Sequence, residues 1–191
     1  MREELSLLQS EIKKTIIFIT HDLDEAITIG DRIAIMRDGE IIQIGTPKEI
    51  ITQPADDFVK EFTQGIPKTK VIDIEHVVSE PDVVFSPTDS HELVRAKMDQ
   101  ANTDYAIGID PEEQYLGILC RDQLDAAVDH TIDLDSLVDS SIVSVLPDTT
   151  LDEALTFLSD QNLPIPVVDE SNAFIGVATQ PDLLKVVASG R

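Results

Sequence analysis

The sequence has few aromatic residues, a single cysteine and no long hydrophobic run. Aromatics make up 4% of its 191 residues and tryptophan is absent, so any core must be built from aliphatic side chains. The single cysteine, Cys120, excludes an internal disulfide and a cysteine-based metal site, which suits a reducing compartment. No apolar run approaches the ~20 residues that span a bilayer, and no signal peptide is found. We therefore expect no direct membrane span.

Positive charge is also scarce. The chain carries 14 lysines and arginines against 37 acidic residues, a net charge of −23. Nucleic-acid binding depends on neutralising phosphates with basic side chains, so no nucleic acid is expected as a partner. Direct adhesion to an anionic membrane is disfavoured for the same reason. Two explanations fit this acidity: an ordinary solvated surface, or a halophilic host whose salt screens the self-repulsion.

Several site motifs are missing. No Gly-x-x-x-x-Gly-Lys-[Ser/Thr] loop occurs, so no nest of backbone N–H groups is available to cradle phosphates. His76, His91 and His130 share no metal-ligand spacing. The acidic stretch 129–139 lacks the glycine and final glutamate of an EF-hand. We therefore expect no metal site.

One segment combines a buried-strand pattern with polar residues at its end. Thr15 to Ile19 is β-branched and aromatic without alternation, which predicts a strand covered on both faces. His21 and Asp22 follow at its carboxyl end, where open α/β sheets bind ligands. Asp22 can cap the next helix. Considered alone, His21 fits either a structural histidine or a functional one.

The rest of the first 65 residues has strong local signals. Asp38-Gly39 between two β-branched runs predicts a β-hairpin. Thr46 to Glu49 is a capping box that starts a helix, and Pro54 is predicted to start another. An amphipathic helix is expected before residue 15. The apolar faces of these elements have too few partners within 1–65, so we expect fraying or self-association.

A boundary is predicted at residues 64–67, and the chain then repeats itself with a shift of 59 residues. The matching pairs include Asp110 with Asp169, Gly117 with Gly176, and Leu124 with Leu183. Each unit is predicted as helix, strand, polar turn, strand, helix. Such units bury their sheets against a neighbour, which predicts a pseudo-symmetric pair. The apolar faces of the two leading helices are assigned to Leu93, Ala96, Lys97 and Met98, and to Leu151, Ala154, Leu155 and Leu158.

Residues 1–65 resemble the carboxyl-terminal segment of an ABC-transporter ATPase domain, of the glycine betaine/proline (quaternary amine) importer type. The resemblance lies in residues 19–26, which contain Thr-His-Asp, and in residues 30–47, which end in Gly-Thr-Pro. It implies that His21 is the catalytic switch histidine, which contacts the γ-phosphate of ATP. The signature motif and the strand that carries the Mg²⁺ ligand and general base are not found. We therefore expect this chain alone not to hydrolyse ATP. It would be a fragment, a truncated gene product or part of a split protein.

Residues 70–191 resemble a tandem pair of CBS domains, with a degenerate first repeat at 70–129 and a clearer second repeat at 130–191. The resemblance implies an adenosine nucleotide (AMP or ATP) or cyclic di-AMP in the cleft between the repeats. Thr179 and Asp182 stand where a hydroxyl would reach phosphate and a carboxylate would accept ribose hydroxyls. Equally, they form a simple helix cap. Cys120 and Gln123 hold the corresponding positions in the first repeat, so at most one good site is expected.

The sequence thus predicts an α/β remnant of an ABC ATPase domain followed by an α+β CBS pair with a pseudo-two-fold axis. The resemblance implies an osmoprotectant importer subunit that uses ATP with Mg²⁺ when complete. Its partners would be a transmembrane permease and a second ATPase subunit or a CBS-mediated homodimer. Its location would be cytoplasmic, peripheral to the membrane through the permease. Two alternatives remain: a stand-alone CBS regulatory module that binds nucleotide, and a purely structural dimerisation unit.

Overall fold

The chain divides into two structural units between Ile72 and Asp73. The structure is a computed structural model that describes residues 15–127, 133–139, 142–158 and 163–189. The helix predicted before residue 15 lies outside the described residues. None of the described helices is long and apolar enough to cross a membrane.

The first unit is a β-hairpin packed with three short helices. Its elements are α1 (Leu23–Ile29), β1 (Ile33–Arg37), β2 (Glu40–Gly45), α2 (Pro47–Thr52) and α3 (Asp57–Thr63). The predicted hairpin turn is confirmed: Asp38 and Gly39 have φ values of 54° and 84°, the left-handed pair that a two-residue turn of this kind requires. The buried core of this unit consists of Leu23, Ile33, Ile35, Ile50 and Val59.

The helix starts of the first unit follow capping chemistry. The predicted box at α2 is confirmed, since Thr46 Oγ1 accepts from the Glu49 N–H and Glu49 Oε2 accepts from the Thr46 N–H at 2.8 Å. The predicted start of α3 at Pro54 is wrong. That helix begins at Asp57 because the carboxylate of Asp56 accepts from the backbone N–H of Val59 at 2.8 Å.

The strand predicted at Thr15 to Ile19 is not formed. No strand is assigned to these residues, and the side chains of Ile17 and Ile19 are 85% and 90% exposed. A strand needs neighbours that pair with its backbone, and no strand in the described part of the chain pairs with this segment. The apolar run is therefore an uncovered surface, as expected for a segment whose partners are too few.

The second unit contains the two predicted repeats. The first comprises β3 (Val84–Phe85), α4 (His91–Ala101), β4 (Tyr105–Ile109), β5 (Tyr115–Cys120) and α5 (Arg121–Ala126). The second comprises α6 (Leu151–Leu155), β6 (Ile165–Val168), β7 (Phe174–Ala178) and α7 (Gln180–Ser189). The predicted order of helix, strand, turn, strand and helix is confirmed in both. The sequence analysis missed the leading strand β3, which pairs in parallel with β4, and its counterpart, a parallel bridge from Val145 to Val167.

The two repeats match in fine detail. Each hairpin has a register shift at the same place, after Gly108 in the first and after Val167 in the second. Asp110 and Asp169 each accept backbone N–H bonds from the residues two and four positions ahead. These turns are therefore built by the same side-chain chemistry, in which a carboxylate replaces backbone partners.

The repeats also exchange segments. Ser79, which precedes β3 in the first repeat, pairs with Val177 in β7 of the second. Asp139, which precedes α6 in the second repeat, pairs with Ile118 in β5 of the first. A Cβ at Gly176 would lie 2.5 Å from Val78 Cγ1 and 2.8 Å from the Ser79 carbonyl oxygen. A glycine is needed there because the crossing backbone leaves no space for a side chain.

The helix faces differ in part from the prediction. In α4 the buried residues are His91, Val94 and Met98, whereas Leu93 is 45% exposed. The spacing of apolar residues in α4 is compatible with burial of either helix face. The face that contains Val94 and Met98 packs into the core of the first repeat. Helix α6 ends at Leu155, so Leu158 lies beyond it.

Candidate functional site

His21 lies immediately before α1 and its side chain is exposed. The residues on either side of it form a hydrogen-bonded helix start. Thr20 Oγ1 accepts from the Asp22 N–H at 3.0 Å and donates to Glu25 Oε2 at 2.9 Å. Asp22 caps α1 by accepting from the Glu25 N–H at 3.2 Å. These contacts fix the backbone on both sides of His21 and leave its imidazole open to solvent.

Thr179 and Asp182 are brought together at the start of α7. Thr179 Oγ1 donates to Asp182 Oδ2 at 2.5 Å and accepts from the Asp182 N–H at 3.4 Å. The Thr179 carbonyl accepts from the N–H groups of Asp182 and Leu183. Both side chains are partly buried where β7 turns into the helix. The arrangement combines a cap with a carboxylate at a helix start, so both sequence interpretations of the pair are geometrically compatible.

Lys185 completes this cluster, and the sequence analysis did not select it. Its Nζ lies 2.8 Å from Asp182 Oδ1. The Lys185 ammonium and the Thr179 hydroxyl both lower the pKa of Asp182 by hydrogen bonding to the ionised carboxylate, with Lys185 the larger contribution. The signal was available, because an acid and a base three residues apart lie on one helix face.

The first repeat has different chemistry at the same place. Gln123 Oε1 accepts from the Cys120 N–H at 2.8 Å, so Gln123 serves as a helix cap. Burial, together with the negative charges of Asp139 and Asp122, raises the pKa of the Cys120 thiol. The thiol is therefore held in its neutral form, and neither Cys120 nor Gln123 offers a carboxylate or a cation to a ligand.

The two repeats meet between their hairpins. The rings of Tyr115 and Phe174 stack with centroids 6.2 Å apart. The backbone N–H of Tyr115 donates to the Asn172 carbonyl at 3.1 Å, and that of Phe174 donates to the Glu113 carbonyl at 2.9 Å. Burial, followed by the charge of Asp139, raises the pKa of the Tyr115 hydroxyl. These contacts join the hairpins of the two repeats in a reciprocal way, because a residue of each hairpin donates to the other.

The larger of the two cavities described is elsewhere. It has a volume of about 430 Å³ and lies beside α6, and neither Thr179 nor Asp182 is among its lining residues. It is lined by Val143, Ser144, Val145, Leu146, Thr149, Glu153, Thr156 and Phe157. Thr179 and Asp182 therefore lie outside this cavity.

Sequence spacing also missed a cluster at the beginning of the second unit. Asp73, Glu75 and His76 bring one ligand atom each to within 4.8 Å of one another. Glu75 and His76 are exposed, and Nδ1 of His76 lies 3.7 Å from Oε1 of Glu75. The short 3₁₀ turn Ile74–Val77 produces this proximity, which a linear ligand pattern does not reveal.

Residues 134–189 match the model of the CBS domain family. Over 188 residues, or 98% of its length, the chain is 33% identical to the glycine betaine transport ATP-binding protein OpuAA of Bacillus subtilis, of which it covers 45%. It is 34% identical over 171 residues to the glycine betaine/carnitine transport ATP-binding protein GbuA of Listeria monocytogenes, covering 89% of this chain and 43% of that protein. The chain is homologous to the carboxyl-terminal part of betaine-type ABC-transporter ATP-binding subunits. It spans about half the length of these relatives.

Solved structures support the fold of the CBS pair. The chain resembles CbpB in complex with c-di-AMP, with a TM-score of 0.56 and 18% identity over 62% of this chain and 86% of that one. It resembles OpuCA of Staphylococcus aureus, with a TM-score of 0.52 and 19% identity over 59% and 97%. It also resembles CBSX2 in complex with AMP, with a TM-score of 0.54 and 18% identity over 61% and 96%. At these identities the likeness establishes the fold of the CBS pair.

Proposed function

We propose that the chain acts as the carboxyl-terminal part of the ATP-binding subunit of an ABC importer for betaine-type osmoprotectants. The observation that carries this proposal is the 33% identity to OpuAA over 98% of the chain, which runs through both structural units. A CBS pair occurs in many kinds of protein. Its combination with a transporter ATPase segment in one continuous match is much more specific.

In this proposal residues 1–65 belong to the nucleotide-binding domain, and His21 is its switch histidine. The exposed imidazole beside a capped helix start suits a residue that contacts the γ-phosphate of Mg²⁺-bound ATP across a subunit boundary. The phosphate loop and the general base would come from the remainder of the ATPase. The partners would be a transmembrane permease, which places the subunit at the cytoplasmic face of the membrane, and a second ATPase subunit.

The second unit, with repeats at 70–129 and 130–191, is proposed to regulate transport by binding an adenosine nucleotide or cyclic di-AMP at Thr179 and Asp182. Helix-start N–H groups favour a phosphate, and a carboxylate at this position can accept ribose hydroxyls. Proteins with this fold are known in complexes with c-di-AMP and AMP. The first repeat lacks this chemistry because Cys120 and Gln123 replace the pair.

Calorimetric titration of the chain with AMP, ATP and cyclic di-AMP tests the nucleotide site. We expect saturable binding of at least one of them, reduced at least tenfold in Asp182→Ala. Gln123→Ala is the matched control, since it removes the corresponding cap of the first repeat and should leave binding unchanged. Equal affinity in Asp182→Ala and the unaltered chain would overturn the assignment of this site.

A second candidate, a stand-alone CBS regulatory module, is favoured by one observation. The second unit has its own buried cores, including Phe85, Met98 and Leu119 in the first repeat, without help from residues before 73. The two candidates differ in what His21 does. Only the importer function requires this imidazole, so a His21→Ala exchange that leaves the chain's cellular role intact would favour the module.

A further inference from the structure

Three of the four described lysine and arginine residues of the second unit form ion pairs that do not include Thr179 or Asp182. Among its described residues, Arg95 pairs with Asp125 and Lys97 pairs with Asp89. Arg121 binds both Asp99 and Asp104 and also donates to the Thr103 carbonyl. Among these described ion pairs, only that of Lys185 includes a residue of the candidate site, Asp182.

Lys185 is bound to the residue that the ligand would need. Its Nζ lies 2.8 Å from Asp182 Oδ1, while Thr179 Oγ1 donates to Asp182 Oδ2. Both carboxylate oxygens are thus engaged by groups from the same helix start. A ribose that donates to Asp182 would therefore compete with these donors for the carboxylate oxygens.

Displacing Lys185 has different consequences for two kinds of ligand. A nucleoside would separate the ammonium from its carboxylate and offer it no new counter-charge. A nucleotide brings a phosphate that restores an ion pair to the ammonium, which is 75% exposed and therefore free to move. A charge-assisted bond of this kind is stronger than a neutral one.

We propose that Lys185 determines specificity at the start of α7, holding Asp182 in the ligand-free protein and selecting phosphorylated adenosine ligands over nucleosides. The inference rests on the proposed nucleotide function of Thr179 and Asp182. The first repeat supports it by contrast. Gln123 and Ala126 occupy the positions of Asp182 and Lys185 at the 59-residue shift, so the acid and the base are absent together.

The test is calorimetric titration of the full chain with AMP and with adenosine at low salt. The unaltered chain should prefer AMP by about tenfold or more, the scale of one hydrogen bond between charged groups. In Lys185→Gln the affinity for AMP should fall and that for adenosine should rise, because no ion pair has to be separated. The AMP preference should therefore fall about tenfold, toward parity.

Two variants control for charge and shape. Arg95→Gln removes the same charge from an exposed pair in the first repeat and should leave the AMP preference unchanged. Lys185→Arg should retain the preference. If Lys185 were purely structural, Lys185→Gln would lower the affinity for AMP and for adenosine together. An unchanged AMP preference in Lys185→Gln would therefore overturn the inference.

The outcomes also separate this inference from the function on which it rests. Binding of AMP and adenosine with equal affinity by the unaltered chain would leave the adenosine site standing and remove the role of Lys185. If the unaltered chain binds none of AMP, adenosine, ATP and cyclic di-AMP, the nucleotide function is overturned, and the role of Lys185 with it.

Discussion

Asp182 is the residue on which the proposed nucleotide recognition at the start of α7 would depend. Its carboxylate is held by Lys185 and Thr179, and both contacts favour the ionised form. The native-state pKa lies below the ordinary value of about 3.9. A depressed carboxyl pKa contributes stability that is fully present above the unfolded-state value. This contribution is lost as the pH falls through the native-state value.

The titration of Asp182 can be observed directly. We expect the carboxyl carbon resonance of Asp182 to titrate with a midpoint below 3.9, and Lys185→Ala to move this midpoint upward, since the largest cause of the shift is removed. NMR titration between pH 2 and 6 provides the measurement. A midpoint that stays in place after the exchange would show that Lys185 does not contact the carboxylate in solution.

At the scale of elements, the second unit is held together by exchanged segments. The Ser79 N–H donates to the Val177 carbonyl at 2.9 Å and the Ser79 carbonyl accepts from the Val177 N–H at 3.0 Å, which adds the segment before β3 to the hairpin of the second repeat. Gly176 makes this crossing feasible because it leaves room for Val78 and Ser79. The hairpin that precedes Thr179 is thus held in place by a segment of the other repeat.

Gly176→Ala should destabilise the protein markedly. The added Cβ would meet a backbone oxygen at 2.8 Å as well as a side-chain methyl group, and overpacking of this kind costs about 1–3 kcal/mol. Gly65→Ala is the matched control, because its Cβ would meet nothing within 4 Å, and its effect should stay within about 0.5 kcal/mol. Thermal unfolding measures both, and equal stabilities in the two variants would contradict the crossing.

The elements show which parts of the fold could be predicted from sequence. The Asp38-Gly39 turn, the Thr46 cap and the 59-residue repeat are local or self-referencing signals, and the structure confirms the features they predicted. The strand at Thr15 to Ile19 depends on partners distant in sequence, and its apolar run indicated burial without supplying them. The pairing of Ser79 with Val177 is also non-local. Lys185 was visible three residues after Asp182 but belonged to no motif.

For the whole molecule, electrostatics is the dominant feature. Acidic residues outnumber basic ones by 23, and the described ion pairs lie mainly at the surface. Exposed pairs of this kind contribute about 0–1 kcal/mol each, so they cannot offset the repulsion among the remaining carboxylates. Stability should therefore depend on ionic strength.

Added salt should stabilise the chain. Raising NaCl from 0.05 to 1 M shortens the screening length to roughly 3 Å and weakens repulsion between carboxylates more than it weakens the fewer attractive pairs. We expect the unfolding temperature to rise across this series at pH 7. At pH 4, where part of the acidic charge is neutralised, the rise should be smaller. An unfolding temperature that falls with salt would contradict a repulsion-limited fold.

The apolar run at residues 16–19 is exposed to solvent. Ile17 and Ile19 lie beside His21 in sequence and are uncovered in the described structure. In the proposed function they would be covered by the rest of the ATPase sheet, which would also place His21 opposite the nucleotide. Both features are explained if the remainder of an importer ATPase completes the first unit.

Complementation of a transporter tests this central claim most directly. A chimera would carry this chain in place of the matching carboxyl-terminal part of Bacillus subtilis OpuAA, and radiolabelled glycine betaine uptake would be measured in cells without other betaine importers. The account predicts uptake by the chimera that is lost in His21→Ala at equal protein level, with His76→Ala as the control that retains it. A chimera that reaches the membrane and transports equally well with and without His21 would contradict it.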